Sequence, residues 1–211
     1  MPKVGMEPIR RQALLNAALK TIGVHGSLSV TMSEIARNAG VSAALAHHYF
    51  GSKDRLMIET IRSLLRRLRA DVVEALRASA SPRDRLSAVV RVSFHADQFS
   101  TETIAAWLAF YVEAQRSDEM RRLLTVYARR LRSDLLSALK MLCPAPEAIR
   151  IAEGTAAMID GLYIRQGLRS APLSIDACMA LTEDYIDGQF ARAAAFSVYP
   201  DSDPKEDDTH G

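Results

Sequence analysis

Residues 31–50 read TMSEIARNAGVSAALAHHYF. Thr31 is a residue type that caps a helix N-terminus, and Glu34 follows at the spacing of a capping box. Ile35, Ala36 and Ala39 give the ensuing helix one apolar face, and Asn38-Ala39-Gly40 closes it, glycine supplying the left-handed conformation in which helices commonly end. Val41 plugs the turn, Ser42 caps again, and a second helix runs to Phe50. Helix, glycine turn, helix is the helix-turn-helix arrangement, whose second helix enters the major groove of DNA. An ordinary packed helical hairpin fits the same pattern, so spacing alone leaves both readings open.

Charge around this stretch favours DNA. Residues 1–70 hold eleven lysines and arginines against four acids, a surplus of seven. The whole chain carries only +2, so the remainder stands at −5. A basic N-terminal third that coincides with the hairpin points to a polyanion partner for that part alone. Elsewhere, abundant Ala, Leu and Arg with sparse Gly and Pro indicate an all-α protein. No apolar run reaches membrane-spanning length, and MPKVGMEPIRR has no apolar core of a secretory signal, so a cytoplasmic location with no membrane contact is expected. Cys143 and Cys178 read as unpaired thiols. Adjacent His47 and His48 point about 100° apart on a helix and do not chelate, so no metal site is expected. The chain lacks a glycine-rich phosphate loop, an H-E-x-x-H motif and a nucleophile elbow, so the reading is no enzyme and no cofactor.

Working outward from the hairpin, helical periodicity predicts about nine helices. The first spans Pro8 to about Val24; Arg10 and Arg11 near its start either reach phosphates or stay solvated. Ser52 caps a fourth, long helix that runs toward Ala78, with Lys53 placed for a phosphate. The fifth extends from about Pro82 to Phe99, the sixth from Ser100-Thr101-Glu102 through Ala114, and the seventh from Ser117-Asp118 to about Leu142. An eighth, Glu147 to Leu168, is rich in small residues, and the mid-helix Gly161 implies a packing or functional gain. Ser170-Ala171-Pro172 ends it, and Ser174 caps a ninth from about Ile175 to Ala195. Two apolar helices at the end of a chain that already has a core predict a homodimer through helices 8 and 9, as a two-fold four-helix bundle. The acidic tail DSDPKEDDTHG reads as disordered.

The segment TMSEIARNAGVSAALAHHYFGSKDRL resembles the DNA-binding signature of the TetR family of transcriptional repressors. Ile35, Ala36, Ala39, Gly40, Val41, Ser42, Phe50, Lys53 and Leu56 fall on the family pattern. The chain departs from it at Ala46, where a large aliphatic is common, and at His47, where a tyrosine is common. The resemblance implies a three-helix reading domain over residues 8–68, an effector-binding and dimerisation domain over 69–195, and a tail over 196–211. It further implies DNA contacts by Thr31, Ser42, Ala43, Ala44, His47, His48, Tyr49 and Lys53. So short a reader needs a palindromic operator, a dimer spanning half-sites about 34 Å apart or a multiple-turn equivalent.

The opening MPKVGM, AAWLAFY around Trp107 and AAMIDGLYIRQGL with the following APL are similar to the choline-responsive repressors of glycine betaine synthesis within that family. That similarity implies choline as effector, bound by Trp107, Phe110, Tyr111, Asp160 and Tyr163. Trp107, Phe110 and Tyr111 share a helix face, as do Asp160 and Tyr163. A quaternary ammonium offers no strong hydrogen-bond donor, so aromatic faces and a nearby carboxylate recognise it. The stripe suits plain core equally well on spacing alone. Glu113 and Asp97 stand as alternative anions, Asp160 as an alternative interface residue, and a different cationic or hydrophobic ligand as an alternative effector.

Overall fold

Hydroxyl caps set most of the helix starts. The structure, a computed structural model, describes residues 5–168 and 173–198. In chain order its helices are α1 (Met6–His25), α2 (Met32–Asn38), α3 (Ala43–Phe50), α4 (Lys53–Ala78), α5 (Pro82–Ser93), α6 (Thr101–Glu113), α7 (Asp118–Leu139), α8 (Ala145–Leu168) and α9 (Ile175–Val198). Thr31, Ser42, Ser52, Ser81, Ser100 and Ser117 each accept a first-turn backbone N–H at the start of α2 through α7, and Ser174 does so for α9. Each cap satisfies one of the donors a helix start leaves unpaired. The fold is all-α, as the periodicity predicts.

The turn between α2 and α3 closes as a Schellman motif. Gly40 sits at φ +67°, its N–H bonds Arg37 O, and the Val41 N–H bonds Ala36 O. Only half of the expected capping box forms: the Glu34 carboxylate turns away from Thr31 and meets His25 Nε2 at 2.6 Å. That contact ties the end of α1 to the start of α2. A second tie runs from Asn38 Nδ2 to Thr21 Oγ1 at 3.0 Å.

Three boundaries differ from the periodic reading. Helix α5 ends at Ser93 instead of Phe99, and the chain turns through His95–Phe99. Phe94 and Phe99 both pack on the Tyr163 ring, with centroids 6.2 and 5.2 Å away. Residues five apart on a continuous helix point about 140° apart, so the helix must break for both to arrive. Helix α7 stops at Leu139, three residues early, and α9 continues to Val198, past the expected tail boundary. Ser170-Ala171-Pro172 as a helix end, the opening MPKV and the acidic tail from residue 199 lie outside the described residues.

Helix α1 does more than complete the reading unit. It packs on α2 and α4, and most extensively on α6. Two glycines permit the approach of α6 to its flanks. A Cβ on Gly23 of α1 would lie 2.5 Å from Glu102 Cα, and one on Gly167 of α8 would lie 2.5 Å from Leu108 Cδ1. Gly161, expected to allow close packing, faces open space in this chain, whereas Gly154 abuts the Tyr185 hydroxyl. Arg83 joins α5 to α9 through Glu183 at 2.6 Å and Asp187 at 2.8 Å. Gly23→Ala meets backbone rather than a flexible side chain, so it is expected to cost about 1–3 kcal/mol. Thermal unfolding should show this as a Tm about 3–10 °C lower.

Candidate DNA-reading face and effector site

On α3, Ala43, Ala46 and Phe50 turn inward, while Ala44, His47 and His48 form an exposed face at i, i+3 and i+4. Ser42 and Thr31 are exposed at the starts of α3 and α2, and Tyr49 is half-buried. The exposed face is short and poor in long side chains. Such a surface approaches the groove closely and favours apolar and shape readout over bidentate base contacts. The His47 Nδ1–H donates to Gly51 O at 3.1 Å, which leaves Nε2 for an outside partner. Neutral, that nitrogen accepts; it donates to a phosphate only when the ring carries both protons.

Lys53 does not extend outward. Its Nζ donates to Leu28 O at 3.4 Å, beside a cleft of about 560 Å³ between the reading helices and the C-terminal end of α6. Glu113, one alternative anion, lines this cleft and not the aromatic cluster. Arg10 is exposed, but Arg11 is built in: its Nη1 donates to Tyr49 O at 2.6 Å, and its guanidinium lies 4.5 Å from the Phe50 ring centre. Tyr49 O is one of the carbonyls that the end of α3 leaves unpaired, so Arg11 caps the recognition helix from α1.

The aromatic residues converge on one carboxylate. The Tyr111 hydroxyl of α6 and the Tyr127 hydroxyl of α7 both donate to Asp160 Oδ1 of α8, at 3.1 and 3.0 Å. Trp107 stands among three tyrosines, with ring centres 4.8 Å from Tyr127, 5.8 Å from Tyr111 and 6.2 Å from Tyr163. Together with Leu68, Ser93 and Ile159, these four rings line a cavity of about 10 Å³. That is room for about one water. A second cavity of about 50 Å³ shares Leu68, Ser93 and Tyr127, and the Arg69–Asp134 ion pair, 2.6 Å, lies along it. Tyr163 donates its hydroxyl to Ser93 O, the free carbonyl at the end of α5. Phe110 is fully buried behind Trp107 and backs the wall without lining it. Asp97 projects into solvent from the turn after α5, because that helix ends before it.

Burial pushes the Asp160 carboxyl above its ordinary range, while the two phenol hydrogen bonds pull it back down. Burial likewise raises the Tyr111, Tyr127 and Tyr163 phenols, and the Asp160 charge raises them further. All three are neutral donors near neutral pH. Among the described residues no group of three His, Cys, Asp or Glu is placed to hold a metal, and no helix is long and apolar enough to cross a membrane.

Residues 14–60 match the family model of bacterial regulatory proteins of the tetR family, and residues 82–191 match that of the C-terminal part of BetI-type transcriptional repressors. The chain is 68% identical over 200 residues to the HTH-type transcriptional regulator BetI of Rhizobium meliloti strain 1021, covering 95% of this chain and 98% of that one. The chain belongs to the TetR family. It is a transcriptional repressor with a BetI-type C-terminal part, and not an enzyme. The regulator BetI of Brucella anthropi is 55% identical over 186 residues, 88% of this chain and 96% of that one. Among solved structures, a transcriptional regulator from Saccharomonospora viridis in complex with choline superposes with a TM-score of 0.77 at 22% identity, covering 86% of this chain and 97% of that one. A transcriptional regulator from Pseudomonas aeruginosa PAO1 gives 0.76 at 26%, covering 89% and 93%.

In this repressor the sequence reading missed Tyr127 and Leu68, and it offered Arg11 only as a phosphate contact or a solvated cation. Tyr127 lies on the apolar stripe of α7 with Leu124 and Leu131, which reads as plain core. The available signal was chemical: a tyrosine on a buried stripe needs a partner for its hydroxyl, and that partner is Asp160.

Two expectations follow from this geometry. Arg11→Ala should weaken operator binding about tenfold in a gel-shift titration while leaving the salt slope unchanged. Loss of a true phosphate contact would reduce that slope by about 0.9. For Asp160, a raised native value means that the folded state holds the proton more tightly than the unfolded chain. The stability this confers is complete below the ordinary carboxylate range and is lost as pH rises through the raised native value. Asp160→Asn should therefore flatten the decline in Tm with rising pH across that window.

Proposed function

We propose that this repressor senses choline and controls genes for choline uptake and for conversion of choline to glycine betaine. The observation that carries the reading is a buried carboxylate, Asp160, held by two phenols beside Trp107 and Tyr163. Aromatic faces attract a quaternary ammonium by about 0.5–2 kcal/mol each, and a carboxylate supplies the counter-charge. The choline complex of the Saccharomonospora viridis regulator and the BetI name of the relatives support this choice over another cationic or a hydrophobic effector.

The working unit is a homodimer on a palindromic operator. Residues 8–68 read DNA through Thr31, Ser42, Ala43, Ala44, His47, His48, Tyr49 and Lys53, and residues 69–195 bind effector and dimerise. Helices α8 and α9 form the interface. Gly161, Ile164 and Leu168 share one face of α8, the last two exposed, and Leu181 is exposed on α9. The cavity holds far less than a trimethylammonium head, so binding separates α4, α6, α7 and α8. Helix α6 lies between Gly167 and Gly23, and its displacement is passed to α1 and from there to the reading helices. Choline thus favours a form in which the two heads fit the operator less well, by as much as choline prefers that form.

Purified protein titrated with choline is expected to give a saturable change in the fluorescence of Trp107, its one tryptophan, and to lose operator affinity in parallel. No saturable response would remove choline from the reading. Choline binding should also tighten as pH rises through the raised Asp160 value. Lys53→Ala should flatten the salt slope of operator binding by about one unit once Lys53 leaves Leu28 for a phosphate.

A further inference from the structure

We propose that the Trp107 indole N–H reads an oxygen on the effector, so that the site selects a quaternary ammonium alcohol over a quaternary ammonium without a hydroxyl. The proposal rests on the choline-type reading of the cavity and specifies which part of the ligand Trp107 recognises.

Trp107 is 2% exposed, and its Nε1 is buried with no hydrogen-bond partner among the described residues. Such a donor is costly to leave unmet, and buried indole N–H groups ordinarily find an acceptor. The neighbouring hydroxyls of Tyr111, Tyr127 and Tyr163 direct their protons to Asp160 Oδ1 and Ser93 O, and none of their oxygens accepts from Nε1. Trp107 lines the cavity, so a ligand seated there once the surrounding helices part brings its acceptor against the indole.

The chemistry of the walls then sorts the ligands. A trimethylammonium group has no acceptor and satisfies only the ring faces and the carboxylate. A hydroxyl two carbons from the nitrogen accepts from Nε1. A ligand carboxylate would also accept from Nε1, but it would bring a second negative charge beside Asp160. The site therefore favours the alcohol over both the bare cation and the acid.

The test compares choline with n-propyltrimethylammonium, its hydroxyl-free isostere, and with glycine betaine, by calorimetry on the full-length protein. Choline is expected to bind about tenfold more tightly than the isostere, the size of one recovered buried hydrogen bond. Glycine betaine should bind more weakly than choline. The single tryptophan gives one indole ¹⁵N–¹H resonance. Choline should shift it downfield and the isostere should not, a readout that needs no substitution. In Trp107→Phe, checked for retained operator binding, the preference between choline and the isostere should disappear. Equal affinities together with an indole resonance that choline leaves in place would overturn the proposal while leaving the choline reading standing. Failure of both cations to bind would overturn both.

Discussion

Helix α6 lies against a glycine on each flank, and at Gly23 the approach is backbone against backbone with no room for a Cβ. Gly23 admits the Glu102 backbone on one side, and Gly167 admits the Leu108 side chain on the other. Interiors at close-packed density do not absorb a displacement locally, so a shift of α6 has to be taken up by α1 or α8. Helix α6 also carries Trp107 and Tyr111, and α1 is tied to the reading helices through Asn38, Glu34 and Arg11. The connection from aromatic cluster to α3 is thus a series of direct contacts. Helix α4 is a second link in parallel, contributing Leu68 to the cavity and Lys53 to the turn before α2.

The second constraint is electrostatic. Asp160 is a largely buried acid whose hydrogen-bonding partners are neutral phenols, whereas Asp134 nearby is paired with Arg69 and Glu183 with Arg83. Burying a carboxylate without a cation is expensive, and two phenol donors offset only part of that cost. A core chosen for stability alone would put an apolar residue at this position. An acid held only by phenols in an aromatic cluster fits the proposed reading, in which a positive charge from outside completes the site.

Much of this was legible in residues 31–56, because caps and glycine turns are local chemistry. Ser42 and Ser52 open their helices where the sequence places them, and Gly40 takes the left-handed conformation its position requires. The i, i+3, i+4 arithmetic likewise placed Trp107 and Tyr111 on one face, but it also recruited Phe110, which packs behind the site. Tertiary partners were not legible. The break after Ser93 depends on Tyr163 drawing in both Phe94 and Phe99, and Tyr163 lies far along the chain from them on α8. Neither reading of Arg11, phosphate contact or solvated cation, found its carbonyl partner, which is 38 positions away.

The narrowness of the cavity bears on how sensitive such a regulator can be. With room for about one water, the cavity as it stands admits no cation, so on the proposed reading binding requires molecules that have opened. The measured dissociation constant is then the intrinsic one divided by the open fraction. Residues outside the cavity lining, such as Phe94 stacked on Tyr163 and Phe99 edge-on to it, bear on that fraction. Each change of about 1.4 kcal/mol in the cost of opening moves the responsive concentration tenfold. On the proposed choline reading, the induction threshold is therefore tunable through packing alone, without a change to the carboxylate or the rings.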